Sequence, residues 1–171
     1  MKFLLSFFWL ICLMAVQPVP SPAAAEIPAA RSVLSGKVLW VYDGDTLEVA
    51  GFGKVRLLGI DAPEQEPSPR DTFFTRQGIA PGTLRRIHAE GRNFLITHLK
   101  GVTVSLDSEP EERDRHGRLL AYVTLPDGRL LNQVMLDRGF AVVYRRFDFT
   151  LKDDFLQAES LARSGQRGLW Q

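Results

Sequence analysis

Short runs of alternating apolar and polar residues begin at Val33 and predict β-strands. The turn sequences Asp43-Gly44 and Gly51-Phe52-Gly53 separate the first three runs, which is typical of an antiparallel meander. Two more runs of this kind follow later in the chain. The five predicted strands cover residues 33–42, 46–49, 54–60, 102–106 and 119–125.

Between the third and fourth strands the pattern changes from strand-like to helical. Proline and glycine residues punctuate positions 65–82 and predict a long loop there, after which Thr83 is a candidate N-cap for a helix. A second, short helix is predicted to begin with Asn132 as its N-cap and to stop at Gly139.

A third helix is predicted near the C-terminus, where Thr150 and Asp153 form a capping-box-like pair and Gly165 ends the apolar stripe. Five short strands with helices after the third and after the fifth are typical of a small closed barrel. We therefore expect an α+β fold built on a five-stranded OB-type β-barrel with three helices.

The first 25 residues have a different character. Lys2 precedes an apolar run that is short for a membrane span, and the small residues Ala23 to Ala25 offer a cleavage site, so residues 1–25 are predicted to be a signal peptide. Residues 26–32 are expected to be a flexible leader and residues 33–171 a single domain. An uncleaved membrane anchor is the alternative. We expect a periplasmic or secreted protein that has no membrane attachment after cleavage.

Composition and charge limit how the protein holds together and what it attracts. The chain has 171 residues, enough for one domain with its own core, and its single cysteine, Cys12, lies in the predicted signal, so no disulfide is expected. The formal net charge is +1, and removing the signal with Lys2 leaves 20 basic and 20 acidic residues. Binding to a polyanion must then depend on local basic clusters.

Carboxylates and arginines occur together where the predicted strands end. The set consists of Asp43, Asp45, Arg56, Asp61, Glu64 and Arg118. Each has a structural explanation when taken alone, since Asp-Gly is a common turn dipeptide and Arg118 could pair with a surface glutamate. Hairpin connections can nevertheless bring the first five together, and the combination favours a shared site.

These residue types suit the hydrolysis of a phosphodiester. Ca²⁺ takes about six to eight oxygen ligands, and Asp45, Asp61 and the following backbone carbonyl would leave positions for water and a substrate oxygen. Glu64 lies three residues beyond Asp61, across a proline, and could reach a metal-bound water. Arg56 and Arg118 would supply bidentate donors to a phosphate.

From about residue 33 to residue 170 the chain resembles the staphylococcal nuclease, or thermonuclease, family. The matching segments are Asp43-Gly44-Asp45-Thr46, Val55-Arg56-Leu57-Leu58, Asp61-Ala62-Pro63-Glu64, Asp114-x-x-Gly117-Arg118, Leu131-Asn132 and Gly168-Leu169-Trp170. Their order and approximate spacing match as well, which makes the joint signal strong.

The resemblance implies a Ca²⁺ cofactor and assigns the residues that hold it. Asp45, Asp61 and the carbonyl of Ala62 correspond to the metal ligands of the family. Glu64 corresponds to the glutamate that positions or deprotonates the attacking water.

The resemblance also implies how the substrate is held. Arg56 and Arg118 are expected to bind the scissile phosphate, and the reaction is expected to cut DNA and RNA and to leave 3′-phosphate ends. His116 stands where the best-known member has a tyrosine beside the phosphate, and Tyr144 is a candidate for stacking on a base. We expect a monomer with no stable protein partner.

Two other functions are open. One is a non-catalytic nucleic-acid-binding domain, because OB barrels bind single strands without catalysis. The other is a histidine-based metal nuclease that uses His88, His98 and His116, although their spacings lack a paired-ligand pattern.

The loop 65–86, which is rich in arginine, is predicted to be a mobile flap that tunes substrate affinity without entering the chemistry.

Overall fold

The computed structural model describes residues 34–109 and 113–171, and in these ranges the alternating segments form a barrel flanked by helices. The strands are β1 (Leu34–Val41), β2 (Thr46–Val49), β3 (Gly53–Leu57), β4 (Ile60–Asp61), β5 (Thr103–Asp107), β6 (Leu119–Thr124) and β7 (Val142–Val143). The predicted signal peptide 1–25 and leader 26–32 lie outside the described residues.

The first three strands form the predicted meander, and the barrel closes through two later strands. The order around the barrel is β1-β2-β3-β6-β5, with β5 paired back to β1. The pairings around the barrel are antiparallel except that of β3 with β6, in which Val55 lies opposite Leu119. Side chains alternate across each strand, so Val38, Leu47 and Val55 point inward and are fully buried. This architecture confirms the expected OB-type barrel.

The helices of the described residues surround the barrel. They are α1 (Asp71–Thr75), α2 (Pro81–Leu99), α3 (Leu131–Asp137) and α4 (Lys152–Ser164), followed by a 3₁₀ turn at Gly168–Trp170. The last three helices were predicted, but α1 falls in the segment 65–82, where a loop without a helix was expected. Five residues are too few to show a periodic stripe, and α1 is held by burial of Phe74 rather than by helix propensity. None of these helices is long and apolar enough to span a bilayer.

Three predicted N-caps are wrong, and the first two are those of α2 and α4. Helix α2 begins at Pro81, so Thr83 lies inside its first turn, and proline is favoured at this position because its missing N–H would have no helical partner. Helix α4 begins at Lys152 without a side-chain cap. The backbone N–H of Thr150 donates instead to Glu109 at 2.6 Å.

Asn132 is also not a cap, because it lies inside α3 and is completely buried. Its Nδ2 donates to the carbonyl oxygens of Leu58 at 2.8 Å and Ala121 at 3.2 Å, and its Oδ1 accepts from the N–H of Val123 at 2.9 Å. These bonds satisfy backbone groups of β6 and the carbonyl of Leu58, where the chain leaves β3. A cap and a buried crosslink both favour a short amide side chain, which explains the wrong prediction.

The predicted strand 54–60 ends early because the chain turns at Gly59. This glycine has a φ of 79°, and a Cβ there would lie 2.6 Å from the ring of Phe149. Beyond the turn, β4 leaves the barrel and pairs with β7, with Asp61 opposite Val142. Strands of two residues carry no alternating pattern, so neither β4 nor β7 was predicted as a separate strand.

Candidate active site

Three strand ends meet at one end of the barrel and carry the first functional side chains. Asp45 directly precedes β2, Arg56 lies in β3 and Asp61 ends β4. The guanidinium of Arg56 bridges the two carboxylates, since its Nη1 contacts Oδ1 of Asp45 and its Nη2 donates to Oδ1 of Asp61 at 2.6 Å. The β2–β3 hairpin and the turn into β4 therefore bring these three predicted site residues together.

Asp45 is almost fully enclosed, with 2% of its surface exposed. Its Oδ1 also accepts a hydrogen bond from Oγ1 of Thr46 at 3.0 Å, and its Oδ2 accepts one from the backbone N–H of Ala62 at 2.8 Å. Burial raises the pKa of the Asp45 carboxyl, but Arg56 and the Ala62 N–H favour the carboxylate more strongly and hold that pKa below its ordinary value. Asp45 is therefore a charged oxygen donor in a fixed orientation.

The turn Asp61-Ala62-Pro63-Glu64 packs directly on the turn that carries Asp45. A Cβ at Gly44 would lie 2.7 Å from the Cβ of Ala62, so glycine allows this close contact. On the other side, Nδ1 of His88 in α2 lies 2.9 Å from the carbonyl oxygen of Pro63. Ala62 is predicted to be a ligand through its carbonyl. It directly follows Asp61 in the chain and its backbone N–H donates to Asp45, so it connects the two aspartates.

The histidines do not come together as a metal site. His88 and His98 each contact a backbone carbonyl oxygen, and His116 lies in an exposed turn. Within the part of the chain that the structure describes, no three His, Cys, Asp or Glu side chains are arranged to hold a metal ion by themselves. A metal at Asp45 and Asp61 would therefore take further ligands from backbone oxygens, water or substrate.

Glu64 lies at the edge of the carboxylate cluster. Its side chain is 36% exposed, and its Oε1 accepts a hydrogen bond from Nη1 of Arg70. Nη2 of the same guanidinium contacts Oδ1 of Asp61, so Arg70 links the two carboxylates. Burial, and then the charge of Asp45, raise the pKa of Glu64 above its ordinary value. A higher pKa makes this carboxylate a stronger proton acceptor.

Asp43 is another carboxylate of the cluster, and its sequence position had suggested no specific role. Its Oδ1 accepts a hydrogen bond from the N–H of Asp45 at 2.9 Å. Burial and the adjacent charge of Asp45 raise its pKa to about 7. The cluster joins four carboxyl groups, Asp43, Asp45, Asp61 and Glu64, to two guanidiniums, Arg56 and Arg70, so ionised carboxylates would outnumber the positive charges. A divalent cation would relieve this excess.

Arg118 directly precedes β6 and is held by Asp114. Its Nε donates to Oδ2 of Asp114 at 2.8 Å, and its backbone N–H donates to Oδ1 at 3.0 Å. Burial raises the pKa of Asp114, but the hydrogen bonds from Arg118 outweigh that effect and keep the pKa below its ordinary value. Nη1 of Arg118 also donates to Oγ1 of Thr46 at 3.4 Å, which connects it to Asp45.

Two residues that contact the predicted site residues, Asp114 and Arg70, were not given this role from the sequence. The spacing of Asp114 and Arg118, four residues apart across a glycine turn, was a signal that could have identified Asp114 as the holder of that arginine. Arg70 gave no such signal, because it is one of several arginines in a segment without periodicity.

A cleft of about 550 Å³ lies beside these side chains, with Arg56, Asp61 and Arg118 in its wall. His116 and Tyr144, both predicted to contact the substrate, also line it. The other basic and aromatic side chains of the lining are Arg70, Phe73, Arg115, Arg145, Arg146 and Phe147. Arginines attract phosphates and aromatic rings stack on bases, so the cleft suits a nucleotide chain.

The oxygen donors of the cluster fit a hard divalent cation. Both arginine contacts of Asp61 use its Oδ1, and no hydrogen bond from a described residue uses its Oδ2. Asp45 is ionised and directed by its hydrogen bonds toward the same cluster. Two aspartates and a carbonyl, in surroundings with excess negative charge, are a donor set that Ca²⁺ accepts.

Comparison with known proteins shows which family this chain is similar to. A family model described as staphylococcal nuclease homologue matches residues 54–171, which include Arg56, Asp61, Glu64 and Arg118. An uncharacterised protein of Methanocaldococcus jannaschii is 35% identical over 147 residues, or 79% of this chain and 70% of that protein. An uncharacterised endonuclease of Escherichia coli is 32% identical, over 84% of this chain and 81% of the relative. A thermonuclease of Staphylococcus hyicus is 30% identical, over 78% of this chain and 74% of the relative.

Proposed function

This chain belongs to the staphylococcal nuclease homologue family and is a nuclease, and we propose that it is a Ca²⁺-dependent endonuclease that acts on DNA and RNA. The observation that carries the proposal is the Arg56 bridge between the buried carboxylates of Asp45 and Asp61 at the wall of a basic, aromatic cleft. Two relatives are named endonuclease and thermonuclease, which supports the cutting of internal phosphodiester bonds.

Asp45, Asp61 and the carbonyl of Ala62 would hold the cation. Ca²⁺ accepts an irregular shell of oxygens, whereas Mg²⁺ demands a tight octahedron at about 2.0 to 2.1 Å, so Mg²⁺ should substitute poorly. When bound, Ca²⁺ would offset the charge of the phosphate and polarise a nearby water.

Glu64 would orient the attacking water and accept its proton. Its carboxylate lies three residues beyond Asp61 and has a raised pKa, which favours proton transfer near neutral pH. Its partial exposure allows water to reach it.

Arg56 and Arg118 would bind the reacting phosphate. Nη2 of Arg56 also donates to the carbonyl oxygen of Ile60 at 3.4 Å, but Nη1 carries a second hydrogen, so the bridge does not exhaust the donors of this guanidinium. Asp114 fixes the orientation of Arg118. Donors held in place before the reaction stabilise the charge that develops on the phosphate oxygens in the transition state.

We also propose that the products carry 3′-phosphates and that His116 and Tyr144 contact the substrate. The product assignment rests on the resemblance to the family, and the two contacts rest on the position of both residues in the cleft lining. We propose a monomeric enzyme with no stable protein partner.

Export is proposed from the pattern of residues 1–25. Mass measurement of the protein recovered from the periplasm or medium should show a mature N-terminus close to Glu26. Retention of Met1 would favour the membrane anchor instead.

The enzymatic proposal is tested by incubating the purified protein with single-stranded DNA, duplex DNA or RNA, in Ca²⁺, in Mg²⁺ or with a chelator. Ca²⁺ should support cleavage of all three. With substrates that carry a fluorophore on the 5′ end, phosphatase treatment should change the mobility of the labelled fragments, because a 3′-phosphate is the terminal phosphate they would have. Binding to these nucleic acids without cleavage under any of the metal conditions would favour the non-catalytic binding domain.

A further inference from the structure

Helix α1 is anchored to the body of the protein through one face. Phe74 is 1% exposed and packs in a small apolar cluster with Leu84 and Val142. Beside it, Asp71 accepts a hydrogen bond from Nη2 of Arg85 in α2 at 2.7 Å. These contacts fix the position of α1, so its outward side chains have a defined place in the cleft.

Arg70 and Phe73 lie on the outward side of this segment. Arg70 immediately precedes α1 and Phe73 follows three residues later, a spacing that places two side chains on the same helix face. Both line the cleft together with Arg118 and Tyr144. The ring of Phe73 is held at 81° to that of Phe74, yet Phe73 remains 40% exposed.

Arg70 also lies next to the groups that are proposed to act on the substrate. Its guanidinium contacts Asp61 and Glu64, which the proposed function assigns to the cation and the attacking water. An arginine this close to both is within reach of the phosphate chain on which they act. Its side chain is 43% exposed, so it can turn from the carboxylates toward a phosphate in the cleft.

We propose that Arg70 and Phe73 form a nucleotide subsite for an unpaired strand, in which Arg70 binds a phosphate next to the scissile one and Phe73 stacks on a neighbouring base. The subsite rests on the proposed function, because it takes the substrate to be a nucleic acid. Stacking on an aromatic ring tolerates any base but requires the base to be unpaired. The subsite therefore favours single strands over duplexes.

The contacts of Arg70 have a consequence for cation binding. Its positive charge lies on Asp61, which is also proposed to bind Ca²⁺. The guanidinium and the cation repel each other and share this carboxylate, so removing the charge of Arg70 should strengthen Ca²⁺ binding in the absence of nucleic acid.

The base contact is tested by fluorescence anisotropy of labelled oligonucleotides in a Glu64→Gln background, where cleavage is blocked and the oxygen that accepts from Arg70 is kept. Phe73→Ala should weaken the binding of a single strand by about tenfold and that of a duplex by less than about twofold. Phe73→Tyr should restore single-strand binding, because it restores the ring. Equal loss for both substrates, or no loss for either, would overturn the stacking role.

The phosphate and cation roles are tested with Arg70→Gln, with Arg76→Gln as the matched control. Arg76 lies at the other end of α1, and the described cleft lining does not include it. Arg70→Gln should weaken single-strand binding by about tenfold and flatten its salt dependence, whereas Arg76→Gln should change affinity by less than about twofold. Calorimetry without nucleic acid should show tighter Ca²⁺ binding for Arg70→Gln only. An unchanged affinity for the single strand would overturn the phosphate role of Arg70, whatever the affinity for Ca²⁺.

Failure of the subsite and failure of the proposed function are distinguishable. If the unsubstituted protein does not cleave nucleic acid in Ca²⁺, the proposed function fails. The anisotropy comparison still tests the subsite in that case, because it measures binding and needs no cleavage.

Discussion

The barrel end and the α1 segment contribute to one cleft in different ways. At the barrel end, Asp45 and Arg56 are held by neighbouring strands, and the buried carboxylate of Asp45 accepts hydrogen bonds from three groups. The α1 segment adds Arg70 and Phe73, which are partly exposed and depend on a short helix for their position. The groups proposed to act on the reacting phosphate thus lie in strands or in the turns beside them, and those proposed to contact the rest of the substrate lie on a surface segment.

The largest expected effect is a loss of catalysis at the barrel end in Glu64→Gln. Loss of the proton acceptor is expected to lower kcat by on the order of 10³, within the range for a positioned general base. Glu66→Gln, in the same stretch and exposed, is the matched control and should leave kcat unchanged. Equal kcat values for the two variants would remove Glu64 from the chemistry.

Stability should separate the two faces of α1. Phe74→Ala leaves a cavity under the helix and is expected to lower the free energy of unfolding by about 3 kcal/mol. Phe73→Ala, next to it but partly exposed, should cost less than about 1 kcal/mol. Urea unfolding of both variants checks this, and similar losses would mean that α1 is not anchored as described.

The two arginines of the barrel end should respond differently to lysine. Arg118→Lys is expected to lower kcat by on the order of 10² at an unchanged urea midpoint, because lysine keeps the charge but loses the planar fork. Arg56→Lys should lower both quantities, since one ammonium cannot reproduce the bridge between Asp45 and Asp61. Arg129→Lys is the matched control, because it alters a similar arginine–aspartate contact outside the cleft lining, and it should leave kcat unchanged. A near-normal kcat for Arg118→Lys would exclude Arg118 from the mechanism.

The smallest expected effect concerns Glu109, which lies outside both regions. It accepts hydrogen bonds from Tyr122 Oη at 2.7 Å and from the Thr150 N–H at 2.6 Å. Burial raises the pKa of Glu109, but these bonds outweigh it and hold the pKa below the ordinary value of 4.5. Its ionised form thus adds stability above pH 4.5, and this is lost as the pH falls through the lower folded-state pKa.

Thermal unfolding of Glu109→Gln against pH tests this sign. The variant should be less stable than the unsubstituted protein at pH 7, and the difference should shrink as the medium is acidified below pH 4.5. A difference that grows on acidification would contradict the assignment. Nuclease activity at pH 7 should not change, because Glu109 does not line the cleft.

Sequence patterns could predict the barrel and the carboxylate cluster because both depend on local signals. Asp43-Gly44 marks a turn, and the hairpin that follows places Thr46 opposite Arg56, which fixes the distance from Asp45 to the arginine. The order of motifs then identified Asp61 and Glu64 beyond the next turn. The predicted strand ends and the predicted metal ligands coincide in the sequence, so both indicate the same location for the site.

The rest could not be predicted because it depends on packing between distant segments. Arg70 reaches the carboxylates only because Phe74 is buried against α2, and no spacing in 65–82 indicates that burial. Asn132 is a residue type that is favoured at N-caps, yet its side-chain amide donates to the backbone carbonyl of Leu58, which is far away in the sequence. Such contacts have no local periodicity, so a single sequence does not show them.

The most direct test of the central claim, that the Asp45 and Asp61 cluster binds Ca²⁺ for catalysis, is to measure Ca²⁺ binding and cleavage on the same preparations of the unsubstituted protein and Asp61→Asn. Cleavage by the unsubstituted protein should rise with Ca²⁺ in parallel with the calorimetric occupancy and cease in chelator. Asp61→Asn should lose both calorimetric binding and cleavage. Undiminished cleavage in chelator, or Ca²⁺-dependent cleavage by Asp61→Asn at the unsubstituted rate, would contradict the account.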